Sequence, residues 1–320
     1  MPELPEVQTT VDGINAYIKG KTITDIWTDI AVETPSLPSH ATSTKSKAFF
    51  TLFKKEVVGA KVIGAERRAK NIFINLNNGN SIWIHMKMTG HLLYGHYVLF
   101  PKRSDSKNLG ISKETTKQEW LPSKDEKNDA LRDPFNKYLH TVFTLDNGRH
   151  LALSDVRKFA KVTFVKTSEL SEIYKEFGPE PLESSFTLEV FQQQLTKRPT
   201  RPIKEVLLDQ KIIAGVGNIY SDEALWIAGI HPLRKVSTIE DFEIKLLYKG
   251  VITALKKGID FGGDSTSDYR DITGKRGEFQ GKHEAYRRTG LPCRKRGCTG
   301  TIERIAFSGR GAHFCNTHQT

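Results

Sequence analysis

Residues 207–225, LLDQKIIAGVGNIYSDEAL, join two helical patterns through a turn that contains two glycines. Glycines at a turn that leads into a helix allow backbone N–H groups to approach a phosphate, and the helix N-terminus adds a favourable field. A tight turn between two helices explains a lone GxG more readily, so the motif by itself is weak. Helical periodicity surrounds it, from residue 183 to about Asp260, and predicts a helical domain.

The preceding half of the chain has the pattern of β-strands. Residues 48–165 contain alternating and β-branched segments, and two of these segments fold about Asn78-Gly79 and Asn147-Gly148. Asn-Gly favours the tight turn of a β-hairpin. We therefore predict a mostly antiparallel β-sandwich in this half.

Three other segments complete the N-terminal half. Apolar side chains recur at spacings of four, three and four over residues 6–18, which predicts a short amphipathic helix. Residues 34–46 are rich in Ser, Thr and Pro and are predicted to form a loop. Residues 101–137 are polar, charged and without period, which indicates a surface insertion with some disorder.

The composition favours a polyanionic partner. The 320 residues carry a formal charge of +11, and +6 of it comes from ten basic and four acidic residues after position 270. A solvated face explains such a basic run equally well. No apolar run approaches the roughly 18 residues of a membrane span and no secretory signal is evident, so we expect a cytoplasmic protein, associated with the nucleoid if it is bacterial.

The three cysteines lie close together near the C-terminus, with the spacing Cys293-x4-Cys298-x16-Cys315-x2-His318. An odd, clustered set argues against a disulfide framework. Two close pairs of soft ligands separated by a hairpin-length spacer suit one structural, tetrahedral Zn²⁺. His313 is a competing fourth ligand.

The order of several motifs along the chain is more specific than any one of them. They are MPELPEV (1–7), RRAK (67–70), HMKMTG (85–90), DVRKF (155–159), GPEPL (178–182), GVGNIYSDEAL (215–225) and the cysteine pattern. Together they closely resemble the Fpg/Nei family of DNA glycosylases, most of all its formamidopyrimidine-DNA glycosylase branch. The match spans nearly the whole chain except residues 101–137.

This resemblance implies a multidomain α+β fold. The expected parts are an N-terminal catalytic β-sandwich with a flanking helix (1–170), a helix-two-turn-helix domain (183–275) and a C-terminal zinc-finger β-hairpin (284–320). The implied partner is damaged double-stranded DNA, held between the halves of a monomer. The implied activity is removal of oxidised bases followed by strand scission at the abasic site.

The resemblance also implies roles for five catalytic residues. Pro2, exposed by removal of Met1, is the expected nucleophile, and its α-amine titrates near neutrality. Glu3 is the expected general acid, and Glu6 resembles a buried carboxylate that organises the site, although an acid favoured by the helix dipole explains Glu6 as well. Lys70 and Arg310 resemble residues that bind the phosphates beside the lesion.

A second set resembles the DNA-binding residues of the family. The expected DNA contacts are His85, Met88, Tyr138, Arg157, Phe159, Lys204 and Asn218. Met88, Arg157 and Phe159 resemble the trio that fills the hole left by a flipped nucleotide, although Met88 and Phe159 also fit an ordinary core. Tyr138 stands where relatives frequently have histidine. Residues 262–279 resemble a loop that closes over 8-oxoguanine, which favours oxidised purines as substrates.

Three other functions remain open on the sequence. An endonuclease VIII-like enzyme would act on oxidised pyrimidines. A zinc-finger protein that binds lesions without cutting would keep the basic finger but would not need a free N-terminal proline. A small-molecule enzyme with proline as base, like the tautomerases, is disfavoured because those chains are far shorter and lack a metal module.

Overall fold

The structure, a computed structural model, describes residues 1–101, 118–266 and 268–320. Its helices are α1 (Leu4–Tyr17), α2 (Pro38–Ala41), α3 (Lys47–Val57), α4 (Leu170–Lys175), α5 (Leu188–Leu195), α6 (Ile203–Leu208), α7 (Asn218–Ala228) and α8 (Asp241–Asp260). Its strands are β1 (Ile23–Thr28), β2 (Val62–Arg68), β3 (Asn71–Leu76), β4 (Asn80–His85), β5 (His91–Gly95), β6 (Tyr97–Pro101), β7 (Gln118–Pro122), β8 (Leu139–Leu145), β9 (His150–Ser154), β10 (Lys161–Lys166), β11 (Ile302–Phe307) and β12 (Arg310–Cys315).

Two antiparallel four-stranded sheets form the N-terminal half, with strand orders β1-β8-β9-β5 and β10-β4-β3-β2. Both sheets bury apolar side chains in one core, including Ile26 and Phe143 from the first and Ile74 and Ile84 from the second. The predicted β-sandwich is confirmed. Both Asn-Gly pairs lie at hairpin turns, between β3 and β4 and between β8 and β9.

Helix α3 occupies the start of the region predicted to be mostly strand, residues 48–165. Ser46 caps this helix, because its side chain accepts a hydrogen bond from the Phe49 backbone N–H at 3.4 Å. Phe53 and Val57, four residues apart on one face, enter the sandwich core. The helical spacing of these apolar residues, rather than strand alternation, decides the local structure. The short helix α2 likewise lies within the predicted loop of residues 34–46.

The insertion predicted at residues 101–137 is only partly a surface segment. Residues 102–117 lie outside the described residues. After them, β7 pairs with β6, and two 3₁₀ turns follow at Asp129–Arg132 and Pro134–Lys137. Leu131 and Asn136 of these turns are buried, so this part of the insertion packs onto the sandwich.

A second core lies in the helical half, and α1 contributes to both cores. Helices α5–α8 pack around residues such as Phe191, Val216 and Leu247, as the helical periodicity predicts, and α8 ends at Asp260. Leu4 belongs to this core, whereas Val7 of the same helix belongs to the sandwich core. No helix among the described ranges combines the length and apolar character that a bilayer span requires.

Helix α1 begins two residues earlier than predicted. The Glu3 backbone N–H donates to Glu6 Oε2 at 2.7 Å, and the Glu3 side chain caps the first turn in return. Pro5 suits this position because its missing N–H would have no partner in the first turn of a helix. The capping box fixes the backbone of the N-terminal motif.

Candidate active site

Pro2 lies at a small enclosed space between the two halves of the protein. It is buried and, with Met1, borders a cavity of about 40 Å³. Glu6, Met88 and Tyr269 line the same cavity. The structure thus brings together the N-terminal motif, the HMKMTG motif and the loop that follows α8.

The carboxylate of Glu3 caps the N-terminus of α7. Its Oε1 accepts from the Ile219 backbone N–H at 3.0 Å, and its Oε2 accepts from that of Tyr220 at 3.3 Å. The N-cap residue of α7 is Gly217, which has no side chain to cap the helix itself. Glu3 supplies this cap from a distant part of the chain, where the helix dipole favours a carboxylate.

The two glycines of the AGVGN turn make room for the N-terminal segment. A Cβ at Gly217 would collide with the Glu3 carboxyl group, and one at Gly215 would lie 2.6 Å from the Leu4 side chain. The Leu4 backbone N–H also donates to the Gly215 carbonyl at 3.0 Å. The glycines therefore allow residues 3 and 4 to sit directly on the turn.

Glu6 is buried among hydrogen-bond donors. Its carboxyl group accepts from the Tyr220 hydroxyl at 2.6 Å and from the backbone N–H groups of Asp264 and Glu3, each at 2.7 Å. Burial, reinforced by the negative charge of Glu3, raises the pKa of Glu6 to about 7. Glu6 therefore acts both in the first turn of α1 and as a link between α7 and the loop after α8.

A buried carboxylate holds the RRAK motif in place. Glu180 of the GPEPL motif accepts hydrogen bonds from Arg67 Nη1 at 2.6 Å, Arg68 Nη1 at 2.9 Å and the Ala69 backbone N–H at 2.6 Å. Ala69 has a φ of 54°, so this turn requires a backbone conformation that L residues seldom adopt. The ion pairs fix the residue that follows, Lys70.

Lys70 is buried, with 6% of its surface exposed. Burial lowers the pKa of its ammonium group; the charges of Glu3 and Glu6 oppose this shift and the charge of Arg310 adds to it. Lys70, both carboxylates and Arg310 therefore share one electrostatic environment.

Arg310 follows the tight turn of the β11–β12 hairpin. The turn residues, Ser308 and Gly309, have φ values of 44° and 73°. The Arg310 side chain is exposed and borders an open groove of about 390 Å³, together with Arg198 and Arg201. Its cationic group remains available to a ligand at the surface.

Met88, Arg157 and Phe159 are exposed on two neighbouring loops. Met88 is 42% exposed and Phe159 is 48% exposed, so neither belongs to a core. The Arg157 guanidinium lies 4.4 Å from the centre of the Phe159 ring. Exposed apolar side chains beside a cation are typical of a surface that receives a ligand.

The buried carboxylate of Asp155 joins these two loops. It accepts from the Thr89 hydroxyl and from the Ala160 backbone N–H, the latter at 2.7 Å. The Asp155 backbone N–H donates to the Tyr138 carbonyl at 2.9 Å, which places Tyr138 beside the DVRKF loop. Three segments predicted to contact DNA are therefore neighbours.

His85 and Asn218 present polar atoms near this region. His85 Nδ1 accepts from the Lys87 backbone N–H at 2.9 Å, and burial with the charges of Lys87 and Lys70 lowers the pKa of His85 to about 3. The imidazole is therefore neutral, with Nε2–H as its donor. Asn218 is the first residue of α7 and borders a groove of about 470 Å³ with Arg304 and His313.

The structure places Lys204 in the interior of the protein, whereas the sequence predicts that it contacts DNA. Its side chain is fully buried, donates to Asp222, and lies 3.3 Å from the Gly311 carbonyl. Asp222 also accepts from the backbone N–H and Nδ1 of His313, at 3.0 and 2.9 Å. Because its ammonium group does not reach the surface, Lys204 joins the β12 strand to α6 and α7 rather than offering a cation to a ligand.

The side chains of Cys293, Cys298, Cys315 and His318 form a group that could hold a metal ion. Their ligand atoms all lie within 4.8 Å of one another. The Cys298 and Cys315 sulfurs are 3.6 Å apart, close to the roughly 3.8 Å edge of a tetrahedron with 2.3 Å metal–sulfur bonds. The fourth member of this group is His318 and not His313, whose Nδ1 contacts Asp222.

The surroundings of the cluster suit thiolates. Four N–H groups point at its sulfurs at 3.4 Å: those of the Trp226 indole and of the Lys295, Gly300 and Thr317 backbone. His318 Nε2 lies 3.0 Å from the Trp226 carbonyl, which leaves Nδ1 to face Cys293. Such outer contacts orient the ligands of structural metal sites.

Sequence reasoning missed several residues that support this site. The sequence pattern gives no role to Glu180 within GPEPL, and it does not identify Tyr220, Asp222 or Asp264. The paired arginines of RRAK precede a buried strand and require a carboxylate partner, which is the signal that could have identified Glu180. The other three are recognisable only after folding brings distant segments together.

Comparisons with known proteins agree with this arrangement. Residues 1–162 match the formamidopyrimidine-DNA glycosylase N-terminal domain, and residues 177–270 match the formamidopyrimidine-DNA glycosylase H2TH domain. A formamidopyrimidine-DNA glycosylase of Herpetosiphon aurantiacus is 35% identical over 315 residues, which cover 98% of each chain.

Solved structures show the same fold. A complex between the Lactococcus lactis Fpg and DNA containing an abasic site has a TM-score of 0.76 at 28% identity, and covers 98% of this chain and 97% of the other. MutM in complex with DNA containing carbocyclic 8-oxo-G has a TM-score of 0.75 at 28% identity over 100% of both chains. The predicted α+β fold class is confirmed, and this chain belongs to the formamidopyrimidine-DNA glycosylase family.

Proposed function

We propose that this chain is a bifunctional DNA glycosylase and abasic-site lyase of base excision repair. It removes oxidised purines, namely 8-oxoguanine and formamidopyrimidines, from double-stranded DNA and cuts the strand by β,δ-elimination, acting as a monomer. The observation that carries the proposal is the position of Pro2, Glu3 and Glu6, which are gathered at the start of α7. The names of the relatives and the damaged DNA bound in the similar structures support the substrate class.

The first step uses the amine that Pro2 presents once Met1 is removed. An α-amine titrates near pH 7.7–8.0, so a useful fraction is unprotonated at neutral pH. Its lone pair forms a bond to the sugar C1′, and the bond from C1′ to the damaged base breaks, with the electron pair leaving on the base. The Glu3 carboxylate takes the proton that the amine loses and passes it to the sugar ring oxygen as the bond from C1′ to that oxygen breaks.

The second step follows from the secondary nature of this amine. The imine that forms with Pro2 is a permanent cation and draws electrons without a further proton. Loss of the C2′ proton then expels the 3′ phosphate, and a second elimination expels the 5′ phosphate. The product is a one-nucleotide gap with phosphate on both sides. Lys70 and Arg310 bind the flanking phosphates, and Arg310 assists the second elimination.

Access to C1′ requires the damaged nucleotide to leave the stack, at a cost of a few kcal/mol. Met88, Arg157 and Phe159 fill the vacated space, because exposed apolar side chains and a planar cation suit an unstacked duplex. His85 donates to a phosphate through its neutral Nε2–H, and Asn218 contacts the backbone from the start of α7. Tyr138 lies close enough to the DVRKF loop to contact the same strand.

Cys293, Cys298, Cys315 and His318 hold one structural Zn²⁺. With four protein ligands, such an ion stabilises the β11–β12 hairpin and activates no water. The role of the chain's own residues is to hold Arg310 at the tip of this hairpin, with Lys204 and Asp222 joining β12 to the helical half.

Borohydride trapping tests this function. Reduction in the presence of a duplex containing 8-oxoguanine is expected to link the protein covalently to DNA, and peptide mass spectrometry is expected to find the sugar on Pro2. Lys70→Ala should still form that adduct, which excludes the lysine as the nucleophile. Strand scission without an adduct, or an adduct elsewhere, would overturn the assignment. Binding without scission would favour a non-catalytic protein, and faster excision of oxidised pyrimidines would replace the substrate class.

A further inference from the structure

A segment of the loop that follows α8 crosses to the β-sandwich. Ile272 enters the sandwich core, and its carbonyl accepts from the Tyr94 backbone N–H at 2.7 Å. This segment, residues 269–274, therefore packs on the half of the protein opposite to the one from which it comes.

Part of the insertion holds the segment on the sandwich. Asp133 accepts from Arg270 Nε and Nη2, each at 3.1 Å, and Arg270 is only 1% exposed. The Arg270 guanidinium also lies 4.8 Å from the centre of the Phe135 ring. A bidentate pair with a stacked ring fixes both the position and the plane of the guanidinium.

Two further hydrogen bonds secure the end of the segment. Asn128 Nδ2 donates to the Thr273 carbonyl at 2.7 Å, and Asn136 Nδ2 donates to the Gly274 carbonyl at 3.3 Å. Gly274 has a φ of 84°, and a Cβ there would lie 2.9 Å from the Ala130 carbonyl group. We call residues 126–136, which supply these contacts, the anchor.

The anchor is itself immobilised on the sandwich. Leu131 belongs to a small core with Leu93 and Val142 on the outer face of the first sheet. Asn136 Oδ1 lies 2.9 Å from Nε2 of the buried His91 on β5. The contacts to residues 269–274 thus come from a rigid support.

The other end of the segment contacts the backbone of Glu6. The Tyr269 hydroxyl donates to the Glu6 carbonyl at 3.0 Å, and Tyr269 lines the cavity beside Pro2. Tyr269 immediately precedes Arg270. Arg270 Nη1 also donates to the Tyr269 carbonyl at 2.8 Å, which couples the position of the guanidinium to this wall of the cavity.

We propose that Asp133 and Arg270 are a positioning pair that holds residues 269–274 in the conformation required to retain a damaged base during its excision. The pair contacts neither DNA nor the reacting atoms, and acts through Tyr269. This inference rests on the proposed function. An abasic site presents no base to hold, so scission at a preformed abasic site does not depend on the pair.

Two substrates separate this role from a general loss of structure. Single-turnover rates are measured for Asp133→Asn on a duplex with 8-oxoguanine and on the same duplex with a preformed abasic site. We expect base excision to fall at least tenfold and abasic-site scission to change less than twofold. Asp133→Glu should recover most of the excision rate. The matched control is Asp129→Asn, whose carboxylate is exposed in the same turn region.

A milder variant keeps the test decisive if Asp133→Asn fails to fold. Asn128→Ala removes the contact to the Thr273 carbonyl, together with the 3.3 Å hydrogen bond from the Ala130 backbone N–H, and should reduce excision selectively. Equal losses on both substrates in a folded variant, or no loss on either, would overturn the positioning role. A wild-type protein that cuts neither duplex would instead refute the proposed function.

Discussion

The carboxylate of Glu3 and the backbone N–H of Ile219 are joined by a 3.0 Å hydrogen bond, although 216 positions separate the two residues in sequence. Because Glu3 caps α7, the adjacent Pro2 is positioned by a helix of the other half of the protein. The glycine at the N-cap of α7 permits this contact.

Replacement of Gly217 by alanine is expected to displace Glu3. The new Cβ would overlap the carboxyl group, and overpacking of this kind costs about 1–3 kcal/mol of stability. Base excision should fall at least tenfold, measured under single-turnover conditions. Gly281→Ala is the matched control, because nothing lies within 4 Å of a Cβ there. Equal activity of the two variants would contradict the role of the turn.

Replacement of Glu6 by glutamine is expected to flatten the pH dependence of stability. Burial raises the pKa of Glu6 from 4.5 to about 7, so the folded protein retains a proton that the unfolded chain releases. The free energy of unfolding therefore falls as pH rises through this range, by about 3 kcal/mol.

Urea denaturation at pH 5 and pH 8 measures this difference. Glu6→Gln should lack most of the decline, whereas Glu176→Gln, at an exposed position, should retain it. A decline of the same size in wild type and Glu6→Gln would show that Glu6 is already ionised in the folded protein at pH 5.

Two histidine variants distinguish the metal ligand from its neighbour. His318→Ala removes a member of the cluster, so its zinc content after dialysis should fall well below that of wild type. His313→Ala removes the contacts to Asp222 and to the Tyr286 ring but no member of the cluster, and should keep about one zinc per chain. Atomic absorption measures the content. Zinc retained by His318→Ala and lost by His313→Ala would reverse the assignment.

Replacing either of the two cations assigned to phosphates should reduce the salt dependence of DNA binding. Neutralising one phosphate contributes about 0.9 to the slope of log K against log salt concentration. Lys70→Ala and Arg310→Ala should each lower the slope by about this amount, measured by fluorescence anisotropy. Lys175→Ala, whose exposed ammonium pairs with Glu172, should leave it unchanged. An unchanged slope in the first two would remove those contacts.

Much of the fold was predictable because its signals are local. The Asn-Gly turns, the helical stripe of α1 and the periodicity that ends at Asp260 each depend on neighbouring residues. Helix α3 was missed because Phe53 and Val57 were interpreted as part of a strand-rich region. The cysteine spacing predicted the four-residue cluster, but only folding distinguishes His318 from His313, through the contact of His313 with Asp222.

The supporting contacts of the site were not predictable from local patterns. Burial of Lys204 depends on Asp222 and on the carbonyl of Gly311, which lie far along the chain. The Arg270–Asp133 pair joins a loop to an insertion that has no periodic pattern. Side chains such as Met88 and Phe159 gave no sign in sequence of whether they were core or surface.

Helix α1 enters two separate cores, with Leu4 in one and Val7 in the other. During synthesis the N-terminus leaves the ribosome first. The residues that surround it are in place only after the last helices and the residues around Asp264 have folded. A truncated or half-folded chain therefore carries a proline without its neighbours. Such a chain lacks the contacts that position Glu3 and Glu6.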